Sequence, residues 1–466
     1  MGGILMNYGI LSVIPSLLAI VLALLTKNVI IALLASLLAG NLILAGYQPM
    51  NALVGLKDAM INVFSDHSST SIIFILLMLG GLFCLIEKSG GLSGFTTLMV
   101  EKGKLIHSKK GAALFTWLVG VLIFIDGTLS VMLTGSVSRP LAKAFRMSPE
   151  KNAWIVHSTS TPMSILIPIA AYGPYIASFI EAQGIENPTG QMVSAIGFNF
   201  YCILAVAGVA LFLLFGIEFG PMKKAEQAYA DATGGETTET AQTQASAGGK
   251  ARHLLIPLAV MVVVTIAYIL YSGGGSMTAG DAESGLIFGI VSAAVYLMVD
   301  LAISKRQKIG EGINTFLTGC GNMISIAAIM VLAYTLSGMI SQLGTAGYLS
   351  SLLTRFMAPA VFSAVAFLFT CIISFSTGTS AGTIAIMMPI LLPMAVSFGT
   401  PIPLIVGAIA GGAVFGDHTS PISDTTIMSC SSTGCNVVSH VKTQLPYALC
   451  FAGAALLLYL VLGFIL

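Results

Sequence analysis

Runs of about 17 to 25 mostly apolar residues recur along this chain, each long enough to carry a helix across the roughly 30 Å of a bilayer's hydrocarbon core. They fall at about 9–26, 28–46, 69–87, 110–126, 128–147, 153–181, 191–218, 253–271, 284–303, 316–340, 359–374, 379–398, 402–416 and 444–466. Lipid offers no water to an open backbone, so each run must close its hydrogen bonds internally, as a helix does. Composition agrees. Of 466 residues 56% are hydrophobic and 8% are Asp, Glu, Lys or Arg, with a mean hydropathy of +0.94, whereas an average soluble domain is about 25% charged. The expected fold class is an all-α polytopic membrane protein. A net charge of +1 in small scattered groups leaves no basic face for a nucleic-acid backbone, so that partner class is excluded. The seven Cys lie mostly in apolar runs without a C-x-x-C pair and read as small core residues. The apolar run from Tyr8 to Leu25 has no basic segment before it and reads as the first span, not a cleaved signal.

Lys and Arg orient the spans. They gather at Lys27, between Lys102 and Lys110, between Arg139 and Lys151, between Lys223 and Arg252 and between Lys305 and Lys308, while alternate loops carry Glu181, Glu186, Asp281 and Glu283. The positive-inside rule makes the first group cytoplasmic and starts the N-terminus outside. Residues 220–252, the longest polar segment, read as a flexible cytoplasmic linker between a first transmembrane repeat, 1–219, and a second, 253–466.

The halves share a series of local patterns. Val29 to Ser36 matches Gly285 to Ser292, and Ile86 to Gly90 matches Ile340 to Gly344. Phe124-x-x-Gly-Thr128 recurs as Phe375-x-x-Gly-Thr379, and Thr161-Pro-Met-Ser164 as Ser420-Pro-Ile-Ser423. The loop charges run the span at 28–46 outward and its counterpart at 284–303 inward, so two inverted-topology repeats are expected. Breaks at Asp126-Gly127, Thr377-Gly378, Gly416-Asp417 and Ser420-Pro421 predict discontinuous helices or re-entrant hairpins. That is a recurrent design of secondary transporters.

A charge at the centre of a membrane helix costs about 2.5 to 3.5 kcal/mol even on the lenient insertion scale, so Asp126, Asp417 and Asp424 need a local reason. Na+ wants several oxygen ligands, and the Ser420-Pro421 break frees carbonyls beside Asp417, Thr419, Ser423, Asp424 and Thr425. Asp417, Ser423, Asp424 and Thr425 are the expected Na+ ligands, with Thr419, Ser420 and Asp126 as further cation or proton groups. Thr419 and Ser420 can equally cap half-helices, and Asp126 can equally cap the helix beginning near Thr128. In the first half, His157, Ser158, Ser160 and Thr161 supply hydroxyls and an imidazole; with Thr379 they suit a polar organic substrate or a proton relay, against the plainer reading of a satisfied buried His. His418 is weaker as a ligand, since its neighbour Asp417 points to another face. Without a phosphate loop, a paired metal motif or a Ser/Lys dyad, the chain does not read as an enzyme, and no cofactor is expected beyond Na+ as coupling ion.

Gly416-Asp-His-Thr-Ser-Pro-Ile-Ser-Asp-Thr-Thr-Ile-Met-Ser429, followed by Gly434, Asn436, His440 and Gln444-Leu-Pro-Tyr447, closely resembles the signature of the NhaC-type Na+/H+ antiporter family, within the larger ion-transporter superfamily. The resemblance implies a Na+-coupled secondary transporter in a bacterial inner membrane, most simply a Na+/H+ antiporter. The alternative is a Na+-coupled carrier or exchanger of amino acids or small carboxylates, since relatives exchange malate and lactate or carry amino acids. Alternating access follows, with an elevator movement favoured by the hairpin-like 110–147 and 359–398 regions. Coupling would come from one Asp holding either a proton or a cation. The partners this reading admits are Na+, H+, an amino acid or small carboxylate, the lipid bilayer and a second copy of the chain.

Overall fold

A computed structural model describes residues 8–26, 28–91, 94, 108–124, 127–168, 170–232, 250–275, 280–345, 348 and 358–466. The first half folds as α1 (Ile14–Thr26), α2 (Val29–Leu44), α3 (Pro49–Ser65), α4 (His67–Lys88), α5 (Lys109–Leu122), α6 (Gly127–Ala144), α7 (Pro149–Leu166), α8 (Tyr172–Glu181), α9 (Pro188–Ile196) and α10 (Phe200–Phe215). The polar segment opens with α11 (Gly220–Ala232). The second half follows as α12 (Arg252–Ser272), α13 (Ala282–Ile303), α14 (Ile309–Asn322), α15 (Ile324–Leu343), α16 (Phe362–Thr377), α17 (Ser380–Phe398), α18 (Ile402–Thr419), α19 (Asp424–Thr433) and α20 (Val437–Ile465). There are no strands among the described residues.

Short polar side chains punctuate the apolar runs. Asn28, Asp66, Ser108, Ser148, Asn199, Asp281, Thr379, Ser423 and Asn436 each accept a hydrogen bond from an otherwise unpaired backbone N–H at a helix start, a service worth about 1 kcal/mol per cap. Among the described residues nine helices are long and apolar enough to cross a membrane, ten if α2 and α3, bent by 119°, are one span. The chain is a multi-pass membrane protein.

Outer helices are apolar on both faces for different reasons. On α13, Ile290, Ala293, Ala294, Leu297 and Leu301 face the core, while Phe288, Val291, Val295 and Val299 are exposed at helical spacing, as a lipid-facing stripe must be. The central helices α7, α17 and α18 are buried almost all round. Helix α7 carries Asn152, His157, Ser158, Thr159, Ser160 and Thr161, a polarity that lipid would not accept, and it is sheathed in protein instead.

Several boundaries differ from the sequence expectation. Residues 49–65 form α3, an amphipathic helix that buries Ala52, Leu56 and Val63 and exposes Leu53, Val54, Ile61 and Phe64. The run at 316–340 breaks at Met323, because α14 leans on α4 through Gly80 and Gly319, each so close to the other's carbonyl that a Cβ on either would collide. The run at 153–181 breaks before Tyr172; Pro162 lies inside α7, so Thr161 to Ser164 is helix and does not copy the open turn at Ser420 to Ser423.

The linker is also more ordered than expected over its first thirteen residues. Helix α11 packs on α7 and α20. Its Glu226 is buried, accepts the Ser148 N–H at 2.6 Å, pairs with Lys109 and lies 4.0 Å from Lys151, which also pairs with Glu218. Burial alone would raise the Glu226 carboxyl, but hydrogen bonds from Lys109 and Ser148 and the Lys151 charge outweigh it and hold the group below its ordinary 4.5. These partners lie outside the segment, so its own polar pattern could not announce the helix. Residues 233–249 lie outside the described residues.

Candidate cation and proton site

Helix α18 ends at Thr419, and Ser420-Pro421-Ile422 cross to α19 outside any helix. Ser423 then serves two masters. Its hydroxyl accepts the Thr426 N–H at 3.4 Å as the cap of α19, and it donates to Oδ1 of Asp417. Thr425 Oγ1 stands 3.2 Å from the same Oδ1 and 2.8 Å from Ser423 Oγ. The hydroxyl of Ser380, at the start of α17, also faces this carboxylate. The two breaks of the second half can meet because residue 378 is glycine. Gly378 has φ +66°, and a Cβ there would come 2.9 Å from Ile422 Cγ1 and 3.1 Å from the Ser423 nitrogen.

Imidazoles close the other side. His157 Nε2 lies 3.1 Å from Thr425 Oγ1, and its Nδ1 lies 3.1 Å from His440 Nε2. The His418 ring packs edge-on against His157, with centroids 4.2 Å apart, and its Nδ1 lies 3.1 Å from the Tyr201 hydroxyl. Gln444 Nε2 donates to the His418 carbonyl at 2.6 Å and faces His157 Nδ1 at 3.4 Å.

The network assigns the tautomers. Ser429 donates to the Thr426 carbonyl at 2.8 Å, so toward His440 Nε2, 3.4 Å away, it can only accept. His440 therefore carries its proton on Nε2 and offers it to His157 Nδ1. His157 then carries its own on Nε2 and donates to Thr425, whose hydroxyl hydrogen goes to Asp417 or to Ser423, itself a donor to Asp417. Every donor points toward the carboxylate. At the far end His440 Nδ1 has no hydrogen-bond partner among the described residues.

Asp417, Ser423, Thr425, His157, His418, His440 and Gln444 are all at most 5% exposed. No ion pair among the described residues reaches Asp417. A carboxylate buried without a partner charge is costly, so this group calls for a proton or a cation. One carboxylate among neutral oxygens fits a monovalent cation; no group of three His, Cys, Asp or Glu among the described residues is placed to hold a metal ion.

The residues singled out from sequence divide. Asp417, Ser423, Thr425 and His157 converge. Asp424 does not join them: its side chain is exposed, and its carboxylate accepts the Thr425 N–H at 2.8 Å in the first turn of α19. Thr419 donates back to Phe415 O at 2.8 Å, Ser160 donates to Val156 O at 2.7 Å, and Thr379 caps α17. Ser158 is buried, and the hydroxyls of Ser420 and Thr161 are buried without partners among the described residues. Asp126 lies outside the described residues. Sequence reasoning missed Tyr201, which sits in an apolar run, and Ser380, which closes the hydroxyl-rich break Ser376-Thr-Gly-Thr-Ser380 but was not singled out from it. It named His440 and Gln444 only within the signature, although His440, Thr443, Gln444 and Tyr447 form a helical stripe that is the buried face of α20.

Residues 174–464, most of the second half and the end of the first, match the Na+/H+ antiporter family. The chain belongs to that family. An uncharacterised protein of Haemophilus influenzae is 30% identical over 97% of this chain and 91% of its own length. The malate-2H+/Na+-lactate antiporter of Bacillus subtilis is 30% identical over 32% of each chain. In three dimensions the fold resembles that of the YdaH transporter of Alcanivorax borkumensis, with a TM-score of 0.60 at 18% identity and 89% of each chain covered. As a member of the Na+/H+ antiporter family this chain is a secondary antiporter, and its matched region includes every site residue on α17 to α20.

Proposed function

We propose that this protein exchanges Na+ for protons in a bacterial inner membrane, with Asp417 alternately holding the cation and the proton. The observation that carries this reading is a buried carboxylate at a helix break, free of partner cations among the described residues and joined through Thr425 to two buried histidines. Asp417, Ser423 and Thr425, with freed carbonyls of the break, would ligate Na+. The donor chain from His440 would deliver the competing proton.

Alternating access would follow from an inverted repeat. Its support is the repeated order of helices, α1 to α8 against α12 to α19, and reciprocal packing: α4 on α14 and α3 on α15, α6 on α19 and α8 on α17. An elevator movement of the broken helices is the favoured form. A single cysteine placed at Asp231 should react with an impermeant thiol reagent only from the cytoplasmic face, and one at Asn51 only from outside; the same sidedness for both sinks the topology.

The second reading, exchange of an amino acid or small carboxylate, draws on the Thr161 and Ser420 hydroxyls and Gln444 Oε1, buried without partners among the described residues, and on the malate–lactate relative. Proteoliposomes decide between them. A Na+ gradient should move protons with no organic solute present. Proton movement that waits for an added carboxylate or amino acid replaces the first reading with the second.

A further inference from the structure

Helix α19 ends on a pair of thiols. Gly434 takes φ +78°, and both its own N–H and that of Cys435 donate to the Cys430 carbonyl, at 2.8 and 2.9 Å. A helix closed in this way folds the residue after the glycine back onto the last turn, where the two side chains meet, and apolar residues frequently fill those places. Here they are Cys435 and Cys430. Their thiols are hydrogen-bonded to each other.

The two differ in access. Cys430 is 2% exposed and also touches the Ser429 hydroxyl, which faces His440 Nε2 at 3.4 Å. Cys435 is half-buried between the exposed Gly434 and Asn436, with its Sγ 3.4 Å from the Asn436 carbonyl. An oxidant therefore meets Cys435 first, and Cys430 stands behind it as the resolving thiol. A disulfide needs Cβ atoms about 3.5 to 4.5 Å apart, a separation that thiols in mutual contact across one turn reach by turning their side chains, with the backbone kept.

The pair also sits on a joint. Upstream, the start of α19 holds Ser423 and Thr425 against Asp417. Downstream, Asn436 caps α20 by accepting the Val438 and Ser439 N–H groups at 3.0 and 3.2 Å, and His440 follows. Ser432 donates to the Val131 carbonyl at 3.3 Å and ties α19 to α6, whereas Ser439 donates to Glu150 at 2.7 Å and ties α20 to α7. A change of angle between α19 and α20 must pass through Gly434 to Asn436.

We propose that Cys430 and Cys435 form a reversible disulfide that locks this joint and slows transport when the cell meets peroxide. Hydrogen peroxide oxidises the Cys435 thiol to a sulfenic acid and leaves as water; the Cys430 thiol then attacks that sulfur, the S–S bond forms and a second water leaves. Two thiols and one peroxide thus give one disulfide and two waters. A small dithiol reverses the step by exchange and is itself left as a disulfide. On the positive-inside reading Arg139, Lys143 and Lys151 put this end of α6 and α7 in the cytoplasm, where thiols are kept reduced and a disulfide serves as a sensor.

The test treats the full chain in proteoliposomes with hydrogen peroxide, then reads thiol alkylation by mass spectrometry and Na+ flux on the same sample. The peptide holding both residues should lose two hydrogens and escape alkylation at both, and flux should fall by about threefold or more. Dithiothreitol should restore both readings. Cys435→Ser and Cys430→Ser should each keep the untreated flux and lose the response to peroxide. Alkylation that peroxide does not diminish overturns the pair as a redox site; a disulfide that leaves flux unchanged overturns the lock; a response that survives in both Ser variants assigns it to other residues and overturns both. If the untreated protein moves no Na+, the exchange reading fails by itself, and the mass measurement still decides the disulfide.

Discussion

His157 and Thr425 come from opposite halves of the chain, yet the imidazole Nε2 lies 3.1 Å from the threonine hydroxyl. Helix α7 supplies one and the first turn of α19 the other, so the site is assembled only when the halves are docked. A relative movement of a few ångströms would open the donor chain at this joint while leaving Asp417 with Ser423. Binding the cation and feeding the proton are therefore separable by mutation.

Asp417→Asn should abolish Na+-dependent flux, by about a hundredfold or more, while the protein still inserts and purifies, because the amide keeps the shape and removes the charge. Asp424→Asn should remain within a few-fold of wild type, since its carboxylate is exposed and Asn can keep its contact with the Thr425 N–H. Radiolabelled Na+ uptake by proteoliposomes measures both, and the reverse ranking would relocate the site.

His440→Gln should depress Na+-driven proton movement by about tenfold and spare Na+/Na+ exchange, which needs the cation ligands but no proton delivery. His157→Ala should alter the pH profile of exchange more than the apparent Na+ affinity. Equal losses in both transport modes would assign the histidines to packing.

Gly378→Ala places a side chain on a left-handed residue, at about 1 to 2 kcal/mol, and drives a Cβ against Ile422 and Ser423. The folded fraction should show weakened Na+ affinity, because the break that carries Ser423 must shift. A Na+ titration of flux checks it; unchanged affinity would mean the two breaks are not mechanically joined.

Glu226→Ala should lower stability by about 1 to 3 kcal/mol at neutral pH, since the Ser148 N–H and Lys109 lose their acceptor while Lys151 keeps Glu218. The sign with pH follows from a carboxyl held below its ordinary 4.5. Its contribution is complete above that value and is lost as pH falls through the lowered one, so wild type and variant should converge in acid. Thermal melts in detergent across pH 3 to 8 would show the gap; a gap that widened in acid would contradict it.

Most of the fold was legible because apolar length and polar punctuation are local properties. The breaks at Gly378 and Ser420-Pro421 stand where glycine, proline and capping hydroxyls put them. What escaped was set by partners far along the chain. The start of α11 depends on Lys109 and Lys151, the break at Met323 on Gly80, and the burial of Asp417 against the exposure of Asp424 on where α19 lies over α6 and α7. Spacing makes those two Asp neighbours, but the turn at Pro421 sends them to different environments. Tyr201 came from an apolar run whose periodicity holds no hint that its hydroxyl would meet His418.

The double duty of Ser423 has a corollary for spectroscopy. The hydroxyl that leans on Asp417 is also the peg on which the first turn of α19 hangs. Whatever changes at the carboxylate is thus written into the integrity of a helix start, where amide protons report it. Occupancy of the buried site should be readable as slowed or quickened hydrogen exchange at residues 425 to 427, with no label placed in the pathway itself.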